Sequence, residues 1–434
     1  MTYQLICGAE IHVELKTKSK MFCGCKNDPF HAGKPNIYTC PVCLGLPGGL
    51  PVPNKKAIED TILLGLALNC TIPPVSHFDR KHYFYPDLPK GYQISQLSEP
   101  LCLGGYLDTS FGRVRLNHIH LEEDAAKMHH EVVGGKKVSL IDFNRSSVPL
   151  VEIVTEPDIK SPEMAKEFLK KLRDIIRALG ISDCDMEKGG MRLEANISLS
   201  CDGSLPPYKV EVKNINSFRY FANSMEYEAK RQAKILEAGK IPVQETRGYR
   251  AITKSTASQR GKEGAADYRY MPDGDIPPLT ISDQWVKEIK LRLPVLPSTQ
   301  IERLLTLGIA ENSANILIHD SSMMEYIDHV EKIAPEFVKK LANDLVNKKF
   351  DHNQIKPEQY VKQLQSSQSA KITDEGTLLP IIEKVLADNP TVVADYKAGK
   401  SNALGFFVGA VMKATAGKAD APTTNHLLRA KLEA

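Results

Sequence analysis

Within a strand-like stretch over 3–15, apolar and polar residues alternate, with Ile11, Val13 and Leu15 on one side and Glu10, His12 and Glu14 on the other. That is the period-two signature of a half-buried strand. The pattern returns between Val114 and Thr155, in VRLNHIHLEEDAAK and VPLVEIVTEP, and again in MRLEANISL (191–199) and YKVEVKN (208–214). Between these runs the spacing becomes helical. Ile58, Ile62, Leu63 and Leu66 follow the N-cap candidate Asn54 and end near Asn69. Phe168, Leu172, Ile175, Ile176 and Leu179 follow Ser161-Pro162-Glu163 and are closed by Gly180, and Ser217 can start a third helix. After Pro278 only helical patterns remain, first QWVKEIKLRL, STQIERLLTLG and PEFVKKLANDLVNKK, then, past a polar stretch at 351–374, LLPIIEKVLADNP and ALGFFVGAVMKAT. Interleaved strands and helices followed by helices alone predict an α+β domain over 1–279, a helical region over 280–350 and a helical tail over 351–434.

Two stretches have no period. FDRKHYFYPDLPKGYQISQ (78–96) reads as a long loop pinned to the sheet by its aromatics, or as a ligand-binding loop using Arg80, Lys81 and Lys90. Residues 244–279 are rich in Arg, Gly and Tyr; Tyr249, Tyr268 and Tyr270 argue for an ordered, functional loop.

Composition narrows the setting. With 434 residues, 42% hydrophobic and 25% charged, the chain is of ordinary globular type and long enough for two or three domains. It has no apolar run of membrane-spanning length, and its first residues lack a basic segment followed by an apolar one, so a cytoplasmic protein with no membrane association is expected. A net charge of +3 says nothing about nucleic acid. Nine cysteines without a secretion signal point to reduced thiols, and Cys7, Cys70, Cys102, Cys184 and Cys201 read as core fillers.

The remaining four cysteines carry chemistry. Cys23 and Cys25 form a C-x-C pair and Cys40 and Cys43 a C-x-x-C pair, so two turns can present four thiolates to one structural zinc. The strands carry a second signal, because each holds an acid among apolar neighbours: Glu10, the cluster Glu122-Glu123-Asp124, Glu152, Glu194 and Glu211. One acid in a strand usually faces solvent. Five strand-like segments with acids are harder to dismiss, since gathering carboxylates is costly unless cations neutralise them. Oxygen donors with one imidazole suit Mg²⁺, which serves phosphate-bearing substrates. The competing reading is a non-catalytic, zinc-stabilised tRNA- or RNA-binding protein, against which the acids argue because they would repel RNA.

Together GAEIHVELKTKSKMFCGC, TCPVCLGLPG, FDRKHYFYPDLPKGYQISQ, HIHLEEDAAK, VPLVEIVTEPDI, VEVKNINSF, QETRGY and DYRYMPDGDIPPL resemble the B subunits of tRNA-dependent amidotransferases, densely over residues 3–280 and again in ALGFFVGAVMKAT. The resemblance implies a cradle-shaped catalytic domain built on an antiparallel sheet, then a helical domain and a YqeY-like tail that touches tRNA. It also implies an activity. The side-chain carboxylate of Glu-tRNA(Gln) or Asp-tRNA(Asn) is activated by ATP as an acyl phosphate and amidated with ammonia from a glutaminase, the A component of a complex that also contains a C component. By the same resemblance Glu10, His12, Glu123, Glu152 and Glu211 are the catalytic Mg²⁺ ligands. Glu194 stands where the family carries Asp; Arg80, Lys81 and Lys90 face phosphate; and Cys23, Cys25, Cys40 and Cys43 hold a structural Zn²⁺. The segment between Tyr360 and Asp374 is shorter than the family pattern, which bears on the tRNA contact.

Overall fold

The computed structural model describes residues 3–261, 268–369, 372–400 and 402–433. Two compact units result, Met1–Pro297 and Ser298–Ala434. Among the described residues no helix is long and apolar enough to cross a membrane.

The first unit is built on a nine-stranded sheet. Its middle runs, in spatial order, Val210–Ile215, Met191–Ser200, Gln4–Glu14, Pro149–Thr155 and Gly112–Glu123, every neighbour antiparallel. Beyond Val210–Ile215 lies Glu245–Arg250, the one parallel pairing of this sheet, and then Ser255–Gly261. A parallel pair needs a crossover, and the helix Phe218–Glu237 supplies it. The alternation read from the sequence puts Ile11, Val13, Ile119, Leu121, Val151, Ile153, Leu193, Ala195, Val210 and Val212 on one fully buried face. Phe168, Leu172 and Ile176 of the helix Pro162–Ala178, with Phe221 and Met225 of Phe218–Glu237, complete that core.

The caps are those the residues call for. Asn54 accepts from the N–H groups of Lys56 and Ala57, Ser161 from Met164, and Ser217 from Tyr220. Gly180 closes the second helix at φ +70°.

Three sequence expectations change. Residues 78–96 are a loop only over 83–91. Asp79–His82 pairs with Tyr92–Ser95 and with Met271–Pro272 in a three-stranded sheet, and Phe78 is buried edge-on against Phe22. A strand whose partner lies about 190 positions away leaves no local period to read. Residues 244–279 likewise contain strands, with Tyr249 buried and Tyr268 and Tyr270 in ring contact; 262–267 lie outside the described residues. Cys7, Cys70, Cys102 and Cys184 are buried, whereas Cys201 is exposed, because it sits in the turn after Met191–Ser200.

The helix Asp283–Lys290 shares the first core through Ile289, and Trp285 donates to Glu59 at 3.1 Å. The second unit holds two apolar clusters. One, spanning 304–361, centres on Phe337, Leu341 and Tyr360; the other, spanning 378–432, centres on Phe407, Val411 and Leu428. Phe406, beside Phe407 on the helix Asn402–Ala414, is half exposed.

In the first of these clusters, Asp344 accepts from Lys340 and Tyr360 at 2.9 Å each and pairs with Lys349. Burial alone would raise its carboxyl, but hydrogen bonds from Lys349, Lys340 and Tyr360 outweigh burial and hold it below the usual range. A depressed carboxyl stabilises the fold above its unfolded pKa of about 3.9, and that contribution is lost as pH falls through the lower folded value. Asp344→Asn should therefore cost about 1–3 kcal/mol at neutral pH and shrink the acid-side loss of stability. Urea denaturation of the full chain at several pH values measures both.

Candidate metal centres on one sheet face

The four thiols of the cysteine loop converge. Their sulfurs all lie within 4.8 Å of one another, with Cys40 and Cys43 3.9 Å apart. Zinc–sulfur bonds of about 2.3 Å at tetrahedral angles put sulfurs roughly 3.8 Å apart, so this donor set fits zinc. Cys43 is the buried member. Its sulfur accepts from the Cys40 N–H at 3.2 Å and from the ammonium of Lys20, itself fully buried, at 3.8 Å. A hydrogen bond from the Cys23 thiol, aided by the Cys40 N–H and by Lys20, draws the Cys43 thiol down to about 5. Purified protein should contain about one zinc per chain by elemental analysis, and Cys43→Ser should release it to a chelator at least tenfold faster.

On the sheet face opposite the core, register lines up the acids. His12 lies opposite Glu152, Glu152 opposite His120, Glu10 opposite Glu194, and Asn196 opposite Glu211. Two clusters result. In the first, Nε2 of His12 is 3.3 Å from Glu152 and 3.7 Å from Glu122, while Nε2 of His120 is 3.1 Å from Glu152 and 3.6 Å from Glu122. Ser95 donates to Glu122 at 3.0 Å. Burial would lower both imidazoles; the charges of Glu152 and Glu122 outweigh it and push His12 and His120 up to about 9. His118, stacked on His120 with ring centres 5.1 Å apart, is pulled down to about 4 by burial and its neighbour's charge.

In the second cluster Glu10, Glu194 and Glu211 bring carboxylate oxygens within 4.8 Å of one another. Asn196 donates to Glu10 at 2.7 Å and Thr246 to Glu211 at 2.6 Å. Burial, then the charges of Glu152, Glu194 and Glu211, raises the Glu10 carboxyl. Oxygen donors alone suit a hard cation such as Mg²⁺, and imidazole with carboxylate suits Mg²⁺ or Mn²⁺. A cavity of about 410 Å³, lined by Gly8, Glu10, Thr155, Asn196, Pro207 and Tyr208, opens beside this cluster.

The structure thus brings Glu10, Glu194 and Glu211 together, and His12 with Glu152. Glu123 joins neither group. It is buried, accepts from the Ile94 N–H at 3.0 Å and pairs with Lys90. Glu122 stands in its place, because neighbours on a strand face opposite ways and Glu122 shares the side of His118 and His120. The same alternation in HIHLEE would have distinguished the two acids. Lys81 lies near the first cluster: burial works against its charge, but Glu122 and then Tyr270 and Glu152 keep its ammonium firmly charged. Arg80 turns away and is held by Asp273 at 2.8 Å and Asp275 at 2.7 Å. Asn196, His120 and Lys213 are further members of the site that sequence reasoning passed over.

The fold and the donor clusters define an α+β chain that could hold divalent cations on one sheet face, beside a loop whose four cysteines could hold a metal. The chain matches the GatB/GatE catalytic domain over residues 5–287 and the GatB domain over residues 310–432, and it belongs to that family. Among its relatives, the B subunit of the aspartyl/glutamyl-tRNA(Asn/Gln) amidotransferase of Caldicellulosiruptor saccharolyticus is 41% identical over 485 positions, covering all of both chains. Its counterpart in Thermotoga maritima, with the same name, is 41% identical over 482 positions, again covering all of both, and that of Dehalococcoides mccartyi 41% over 488 positions and 99% of each. These alignments are longer than the 434 residues of the chain, so the relatives carry segments that it lacks.

Glu122→Gln should weaken Mn²⁺ binding about 10- to 100-fold, whereas Glu123→Gln should leave it within about threefold because Glu123 faces Lys90. Titration followed by the paramagnetic signal of free Mn²⁺ separates the two.

Proposed function

We propose that this chain is the transamidating component of a glutamine-dependent amidotransferase. Its substrates in this reading are Glu-tRNA(Gln), Asp-tRNA(Asn) or both, and it works with two partner chains, the glutaminase (A) and the C component of the complex. The side-chain carboxylate attacks the γ-phosphorus of ATP, and the bond from that phosphorus to the β–γ bridging oxygen breaks, giving ADP and an acyl phosphate. Ammonia then attacks the acyl carbon; the bond to the phosphate oxygen breaks, and phosphate leaves with the proton lost by nitrogen. Both substrates of the first step are anions, so the site must offset their repulsion and align them.

The observation that carries the reading is the line of donors across five adjacent strands in a chain of this family. His12, His120, Glu122 and Glu152 form one holder for a divalent cation, and Glu10, Glu194 and Glu211 another. Bound Mg²⁺ there supplies positive charge to phosphate oxygens. The chain's own part is geometric and electrostatic. Asn196 and Thr246 fix the orientation of Glu10 and Glu211, Ser95 fixes Glu122, and Lys81 adds charge beside the first cluster. The cavity beside Glu10 is assigned to substrate. Residues 1–279 are read as catalytic, 280–350 as a helical connector and 351–434 as the tRNA-contacting tail. RNA binding without catalysis is disfavoured, since the densest charge on the sheet face is negative.

Reconstitution with its glutaminase partner and each misacylated tRNA, with ATP, Mg²⁺ and glutamine, should yield amidated tRNA, and His12→Ala should lower the rate at least about 100-fold. Undiminished amidation by that variant would remove the site from the mechanism.

A further inference from the structure

Each cation cluster has one lysine beside it. Lys81 attends the first; the second has Lys213, whose ammonium is 2.9 Å from Glu194 and 4.0 Å from Glu211. The pairing of Ala195 with Val212 puts it opposite Glu194, where the register then breaks. Leu193 pairs with Ile215 but Ala195 pairs with Val212, so the stretch containing Lys213 and Asn214 bulges opposite Glu194. Asn214 takes the left-handed conformation, φ 62°, that such an irregularity needs. Lys213 shares the face of Glu211 by alternation, and the bulge after it returns Ile215 to the buried side with Val210 and Val212. About a third of the Lys213 side chain remains exposed.

Charge arithmetic gives this placement a meaning. Three carboxylates and one ammonium leave two negative charges, which one divalent cation neutralises. That cation takes the Glu194 oxygen that Lys213 holds, so the ammonium, on a flexible stem, stays beside the now neutral cluster but can turn to meet an anion. On the reading of this chain as the transamidating component, we infer that Lys213 is a further catalytic residue, which leaves Glu194 when a divalent cation binds and then contacts the phosphoryl group transferred from ATP to the substrate carboxylate. The transfer itself is the balanced step given above. Lys213 donates hydrogen bonds to the phosphoryl oxygens and keeps its own proton throughout, so the phosphoryl group is flanked by Lys81 on one side and Lys213 on the other.

The test has two arms. In the first, Mn²⁺ is titrated into the full chain as wild type, Lys213→Met and Lys213→Arg. Removing the competing ammonium should tighten Mn²⁺ binding about tenfold in Lys213→Met, and Lys213→Arg should stay near wild type. In the second, acyl phosphate formed by the reconstituted complex is trapped with hydroxylamine. Lys213→Met should lower kcat about 100-fold with KM for the aminoacyl-tRNA within threefold, and Lys213→Arg should recover part of the loss. Tighter Mn²⁺ binding with undiminished trapping would make Lys213 a mere counter-ion of Glu194 and overturn the inference. Unchanged Mn²⁺ affinity in Lys213→Met would overturn it without reference to activity. No trapped product from the wild-type complex would instead bring down the functional reading and the role of Lys213 with it.

Discussion

The structure depends on the repulsion between carboxylates held at strand spacing on one side of a sheet. Neighbouring strands lie about 4.8 Å apart, so Glu211, Glu194, Glu10, Glu152 and Glu122, one from each of five adjacent strands, crowd together. They cannot relax away from one another, because the residues between them, such as Ile11, Val13, Val151 and Leu193, are locked into the core on the other face. The charge has to be balanced in place. The ammonium groups of Lys81 and Lys213 supply part of the balance; the donor sets, in which His12 and His120 bind as neutral imidazoles, leave the rest for divalent cations.

The strand ends meet the same problem with arginine. Arg192 lies between Glu14, at 2.8 Å, and Asp124, which Arg145 also approaches at 3.5 Å. Arg145 in turn donates to the carbonyls of Ala125 and Ala126. Next to this knot the zinc loop is stitched to the segment that leads into Pro149–Thr155: Lys20 donates to the carbonyl of Phe143 at 3.0 Å and Ser146 donates to that of Cys43 at 3.0 Å. The four-cysteine loop and the acid clusters therefore share a rigid frame.

Most of the architecture was legible along the chain. Strands Gln4–Glu14, Pro149–Thr155 and Met191–Ser200 announce themselves by alternation, and three helices by their stripes and by the caps Asn54, Ser161 and Ser217. The gathering of four thiols that could hold a metal was legible from spacing alone. What failed was partner-dependent. Asp79–His82 and Met271–Pro272 are strands only because they find each other across the sequence. Arg80 is taken up by Asp273 and Asp275, which no local pattern announces; that Glu122 and not Glu123 joins the His12 cluster, by contrast, already follows from their alternation.

By itself the sequence determined which residue types occupy which face of each strand, because side-chain direction follows from a period of two, and it supplied the four thiols and the acids. The tertiary structure alone decided which acids meet. Strand order and register are set by pairings between segments tens to hundreds of residues apart, so the division into a cluster with His12 and a cluster with Glu10 is written nowhere locally. The bulge at Lys213–Asn214 is the clearest case: a one-residue change of register keeps Ile215 in the core while Lys213 stays opposite Glu194.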